Sequence, residues 1–279
     1  MRWINSRQSG NVEDQRGMGG ALPVTGGIGT LLVALAIYLM GGDPSAVLQT
    51  SPGGSNPQIS RQANPQNDEG KRFVSLVLAD TEDVWNAILK QNRRNYREPK
   101  LVLFTGSVNS ACGVAGAQAG PFYCPADEKL YIDLSFYDQL RDRFQAPGDF
   151  AQAYVIAHEV GHHLQNQLGT MEQVQRLQKR VSREQANQLS VRLELQADFY
   201  AGVWAHYAAK RGILEPGDVE EGLRAASAIG DDKLQLESQG YVVPESFTHG
   251  TSEQRLYWFK KGLQSGDLSE GNTFNQTTP

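Results

Sequence analysis

Two histidines four residues apart in an otherwise apolar run restrict this chain more than anything else in it. The run is Tyr154-Val155-Ile156-Ala157-His158-Glu159-Val160-Gly161-His162-His163-Leu164. It holds no proline, and Asp149 or Gly148 can cap its start, so it reads as a helix. Residues four apart on a helix lie about 40° apart around its axis. His158 and His162 therefore face one way and can grip one metal ion. Glu159 is the neighbour able to take a proton from a water activated by that ion. The pattern points to hydrolysis assisted by one catalytic Zn²⁺. A surface helix that carries two histidines and a glutamate by chance is the bland alternative. The apolar flanks weigh against it, because buried imidazoles need partners. Gly161 also weighs against it. Glycine costs about 1 kcal/mol of helix propensity, which implies that another backbone comes close.

A catalytic zinc site takes three protein ligands and keeps a fourth position open. One common extension of the motif places Gly and His three and six residues after the second histidine. Here those positions hold Gln165 and Leu168, so the third ligand must come from farther along. His163, His206, His249 and carboxylates on later helices are the candidates. His163 points about 100° away from His162. Glu194 is the best choice, since it opens Glu194-Leu195-Gln196-Ala197-Asp198 on the next apolar helix. Asp198 lies four residues on, on the same face, where it can accept the ring N–H of a liganding histidine. The small residues Ala197, Ala201 and Gly202 allow close helix packing. Attack on a carbonyl develops negative charge on its oxygen, which donors can stabilise. His249 and Arg255 are candidates for that work. Otherwise His249 caps the helix starting near Ser252, and Arg255 pairs with a carboxylate such as Asp198.

The other regions of the 279 residues set the context. A net charge of −5 gives no sign of nucleic-acid binding. Residues 1–20 read as a polar cytoplasmic segment. Ala21–Met40 is uncharged and long enough, at about 30 Å, for one membrane crossing. Arg2, Arg7 and Arg16 precede it and no Lys or Arg follows before Ser60, so the N-terminus is expected inside and the domain outside. Residues 41–66, rich in Pro, Gly, Ser, Asn and Gln, read as a flexible linker. The domain is expected over 67–264, with 265–279 a frayed tail. Helices are expected over 72–95, 137–144, 171–190, 191–211, 218–229 and 253–263, with strands near 100–105, 121–125 and 129–133. The segment 114–123 is a candidate edge for an extended substrate peptide. Cys112 and Cys124 read as a disulfide in an exported domain.

His158-Glu159-x-x-His162 followed by Glu194-x-x-Ala197-Asp198 resembles the zincin metallopeptidases whose third ligand is a glutamate. Thr248-His249-Gly250-Thr251-Ser252…Arg255 is similar to a segment of the CAAX prenyl protease and HtpX-like group, with Gly250 in place of a proline. The whole chain is more similar still to the bacterial neutral zinc metallopeptidases. The opening Met1-Arg2-Trp3, Ser9-x-Asn11-Val12-Glu13-Asp14, the Cys112…Cys124 segment and His249-Gly250-Thr251-Ser252 all fit that family. The resemblance implies a protease and names no substrate. The expected architecture is α+β: a mainly helical zincin-like domain with a small antiparallel sheet, behind one transmembrane helix. The expected activity is a membrane-anchored zinc endopeptidase acting on a peptide or protein substrate. A catalytically silent binding or chaperone-like module and a metal-dependent amidase with a non-protein substrate are the alternatives.

Overall fold

The computed structural model describes residues 1–3, 6–17 and 68–275. The expected membrane span and linker lie outside these residues. Among the described residues no helix is long and apolar enough to cross a membrane.

The backbone of the fold is a four-stranded sheet in the order β1-β2-β6-β5, formed by Val12–Asp14, Lys100–Phe104, Lys129–Asp133 and Phe122–Cys124 respectively. A separate hairpin, β3 (Ser107–Ser110) and β4 (Gly113–Gly116), stands beside it. The sheet is mixed rather than antiparallel, as β1–β2 and β2–β6 run parallel and only β5–β6 is antiparallel. The strand sequences explain this. Leu101-Val102-Leu103-Phe104 and Leu130-Tyr131-Ile132 are buried without alternation, as strands covered on both faces are. Leu101, Leu103, Leu130 and Ile132 enter the main helical core, while Val102, Phe104 and Tyr131 pack under the β3–β4 hairpin with Val108 and Ala115.

Eight helices follow or flank the sheet among the described residues. They are α1 (Glu69–Gln91), α2 (Ser135–Asp142), α3 (Asp149–Leu168), α4 (Thr170–Gln178), α5 (Arg183–Lys210), α6 (Asp218–Ala228), α7 (Asp231–Gln239) and α8 (Ser252–Ser265). The polar stretch after residue 170 was expected as one helix followed by another at 191. The break falls earlier, because Ser182 and Gln185 form a reciprocal capping box that starts α5. Helix α7 was not expected at all. Its average polarity hid it.

Helix α3 runs through the centre and packs on α1, α5 and α6. Phe150 stacks on Trp204 at 5.7 Å between centroids, and both are fully buried. Burying such a side chain contributes about 1.5–3 kcal/mol. Helices α5 and α8 meet at Gly202 and Gly262. A Cβ on Gly202 would lie 2.1 Å from the Phe259 carbonyl oxygen, so only glycine permits that crossing.

Two boundaries need correction. Residues 1–20 were expected to stand apart from the domain, on the other side of a membrane. Instead β1 is the edge strand of the domain's own sheet, with Leu101 N donating to Asn11 O and Gln15 N to Leu103 O. Glu82 of α1 is fully buried, and its carboxylate accepts from Arg7, Ser9 and Asn11. Arg16 pairs with Asp68, so the described chain departs and returns at one place. One crossing between β1 and β2 would separate hydrogen-bonded strands, so the N-terminus-inside, domain-outside arrangement does not fit this fold. The described part of the tail is also built in. Thr273 is fully buried, its hydroxyl donates to Arg192 O, and Gln196 Nε2 donates to Gly271 O.

Candidate metal centre

Helix α3 presents His158, Glu159 and His162, and α5 presents Glu194 and Asp198. The two helices touch where Gly161 faces Ala197. A Cβ on Gly161 would lie 3.0 Å from both Cα and O of Ala197. The glycine that weakens the helix therefore sets the distance between the two halves of the site. The backbone approach that Gly161 implies is that of α5, at Ala197.

His158 Nε2 lies 3.1 Å from one Glu194 carboxylate oxygen, and His162 Nε2 lies 3.4 Å from the other. Ligands at the corners of a zinc tetrahedron stand ~3.4 Å apart when the bonds are ~2.1 Å. His158, His162 and Glu194 each offer one ligand atom within 4.8 Å of the others. The donor set and its spacing fit zinc. The outward nitrogens are also settled. His158 Nδ1 donates to Asp198 Oδ1 at 2.9 Å, and His162 Nδ1 donates to Gln165 Oε1 at 2.9 Å. Each contact fixes the tautomer that leaves Nε2 unprotonated toward the shared point. Burial disfavours the Glu194 anion, but the charge and Nε2–H bonds that His162 and His158 supply when protonated overcome it and hold its carboxyl well below the usual range.

Glu159 sits beside the ligands and is buried. Burial raises its proton affinity, and the neighbouring imidazoles only partly offset that. Such a carboxylate is a stronger base than an exposed one.

Asp198 is completely buried between two helices. It accepts from Arg255 Nε at 2.9 Å and Nη2 at 3.0 Å, and from the Tyr154 hydroxyl. Arg255 also donates to Tyr154 Oη and to the Ile229 carbonyl. All three of its nitrogens are thus engaged. Arg255 was a candidate to stabilise the developing oxyanion; its observed place is as the counter-charge of Asp198.

His249 lines the same cleft as the metal-binding residues. Its Nδ1 lies 3.2 Å from Asp231 Oδ1. Burial works against the His249 cation, but the bond to Asp231 and the charge of Glu194 raise its pKa above the ordinary value. It does not cap α8, since Thr251 and Gln254 form that capping box.

Sequence reasoning missed two supporting residues. Asp231 accepts backbone N–H bonds from Thr248, His249 and Gly250, so it holds the whole loop that carries His249. The unforeseen helix α7 places it there. Gln165 entered only as the residue that broke an extended motif. It is fully buried, and its amide donates to Leu193 O while its oxygen holds His162. His163 and His206 are spent elsewhere. His163 Nε2 donates to Arg97 O and its Nδ1 faces Tyr123 Oη, and burial lowers its pKa. His206 bonds Leu263 O.

The centre lines a cleft of about 1300 Å³. Its walls are the β3–β4 hairpin with edge strand β5, parts of α4 and α5, and α7 with the loop after it. The Cys112–Cys124 disulfide ties the hairpin turn to β5.

The chain is similar to YpfJ of Escherichia coli (strain K12), with 49% identity over 287 residues covering 99% of this chain and 100% of that protein. It is also similar to Rv2575 of Mycobacterium tuberculosis (strain H37Rv), with 38% identity over 252 residues covering 85% and 84% of the two chains. No solved structure matches it. The family model described as "Putative neutral zinc metallopeptidase" matches residues 1–274, and the chain belongs to that family.

Proposed function

We propose that this chain is a zinc-dependent endopeptidase that hydrolyses peptide bonds without a covalent intermediate. The observation that carries this reading is the placement of Glu159 beside the His158–His162–Glu194 triad in the lining of an open cleft. When bound, Zn²⁺ supplies Lewis acidity that acidifies water and polarises a carbonyl. Glu159 takes the proton as the water oxygen attacks the carbonyl carbon. It then passes that proton to the amide nitrogen as the C–N bond breaks, leaving a carboxyl group and an amine. His249, its Nδ1 held by Asp231, is left with Nε2 to donate toward the carbonyl oxygen as charge develops there. Asp198 and Gln165 keep the two ligand imidazoles oriented, and Arg255 neutralises Asp198.

The Cys112–Cys124 bridge supports work in an oxidising, extracytoplasmic compartment. Membrane attachment through Ala21–Met40 is part of the same proposal, as a segment that enters and leaves the membrane on one face and so keeps β1 on the same side as the rest of the sheet.

The test compares zinc-loaded wild type and Glu159→Gln on a mixed peptide library, with and without a chelator. Wild type cleaves, the chelator stops it, and the variant retains zinc but is inactive. A variant that cleaved at the wild-type rate would sink the mechanism. A wild type inert toward every peptide would favour a silent binding module.

A further inference from the structure

We infer that the cleft selects extended polypeptide segments free of charged side chains. This deepens the peptidase reading above and rests on it for the location of the substrate. Charged residues make up 20% of the chain. Among the described residues that line the cleft, Arg183 is the only charged one outside the group formed by Glu159, Glu194, Asp231, Arg255 and the histidines. Of these, Glu194 is committed to the ligand imidazoles, Asp231 to the His249 loop and Arg255 to Asp198, which leaves Glu159, the proposed base at the reacting bond, and no charge along the rest of the lining but Arg183. A substrate side chain carrying charge would lose water on entering and meet no partner, which costs free energy.

The walls differ in a way that suits a backbone. On the hairpin wall, Ala111, Gly113 and Ala115 are small, so a main chain can come close without steric conflict. The other walls carry amides and hydroxyls such as Gln175 on α4 and Gln235 and Ser238 on α7. These can donate and accept neutral hydrogen bonds with peptide groups of any sequence. The lining therefore reads backbone and excludes charge, rather than recognising one side chain. Arg183 lies where α5 begins, at one end of the site. It marks the one place where an acidic residue is tolerated.

Binding is measured with full-length zinc-loaded Glu159→Gln protein and ten-residue dye-labelled peptides. One peptide is uncharged, built of Leu, Val, Ala, Ser and Gln; two others carry paired Lys or paired Glu at the centre. The uncharged peptide binds at least about tenfold more tightly than either charged one. Equal or tighter binding of the charged peptides overturns the inference. A second variant adds Gln175→Lys and Ser238→Lys, both at exposed positions. It binds the Glu peptide at least about fivefold better than its parent; no change would show that these residues do not face the substrate and would also overturn the inference. Hydrolysis by wild type separates the two readings. Binding ranked as expected without any cleavage removes the peptidase and keeps the cleft's selectivity. Cleavage of charged and uncharged peptides at equal kcat/KM does the reverse.

Discussion

Asp198 Oδ1 stands 2.9 Å from Nδ1 of His158, while the Arg255 guanidinium grips the same carboxylate from α8. One buried anion thus orients a metal ligand and holds a third helix. Asp198→Asn leaves the Arg255 cation unpaired, a change that costs about 3–5 kcal/mol where a buried pair is broken. Zinc affinity falls about 10- to 100-fold. Chelator competition and urea unfolding read the two effects separately. Wild-type zinc affinity in the variant would show that Asp198 does not act on His158.

Gly161→Leu forces α3 away from Ala197, where even a Cβ would be 3.0 Å from backbone. The variant loses about 1–3 kcal/mol of stability through overpacking. Because His158 and His162 are on one helix and Glu194 on the other, zinc affinity falls with it. A variant that binds zinc like wild type would mean that the crossing does not set the site.

The N-terminal segment has its own pH limit. The bond from Arg16 holds the Asp14 carboxyl down from its ordinary 3.8 to about 2. A lowered carboxylate pKa stabilises the folded form above the ordinary value and loses that contribution as pH falls toward the folded one. Amide protection of β1 is therefore lost between about pH 4 and pH 2, ahead of the helical core. Arg16→Ala weakens that protection already at neutral pH. Hydrogen exchange followed by mass spectrometry resolves the segment.

Reducing Cys112–Cys124 opens a loop with a sequence separation of 12. Loops of that length contribute about 3 kcal/mol. The hairpin is also a wall of the cleft, so reduction raises KM more than it lowers kcat. Unfolding curves and peptide kinetics with and without reductant check both, and an unchanged KM would detach the hairpin from substrate binding.

Val12–Asp14 and Lys100–Phe104 share one sheet, so tags placed before Met1 and after Pro279 are expected to meet the same compartment in cells. Protease or thiol-reagent accessibility of the two tags decides this. Labelling of only one tag from outside would require β1 to leave the sheet.

How much of this was legible beforehand follows from how local each signal is. His158, Glu159 and His162 declare themselves because a helix converts spacing into direction. Glu194 and Asp198 follow by the same rule on a second apolar helix, and Gly161 announces a close crossing because its cost demands a reason. The parallel sheet was hidden, since pairing between β1 and β2 joins residues far apart in sequence. Asp231 was hidden too. Its helix is polar, and a side chain that holds a distant loop through backbone N–H groups leaves no spacing pattern. Arg255 shows the opposite case: its likeness to a known segment drew attention to it, but only geometry distinguishes a donor facing substrate from a counter-charge behind a ligand.

The edge position of β1 has a consequence for biosynthesis. This strand leaves the ribosome before its partner β2, which is encoded after all of α1. Until Lys100–Phe104 emerges, Val12–Asp14 has no ladder to join. The sheet is completed by capture of a strand made earlier, after the helix between the two has been made.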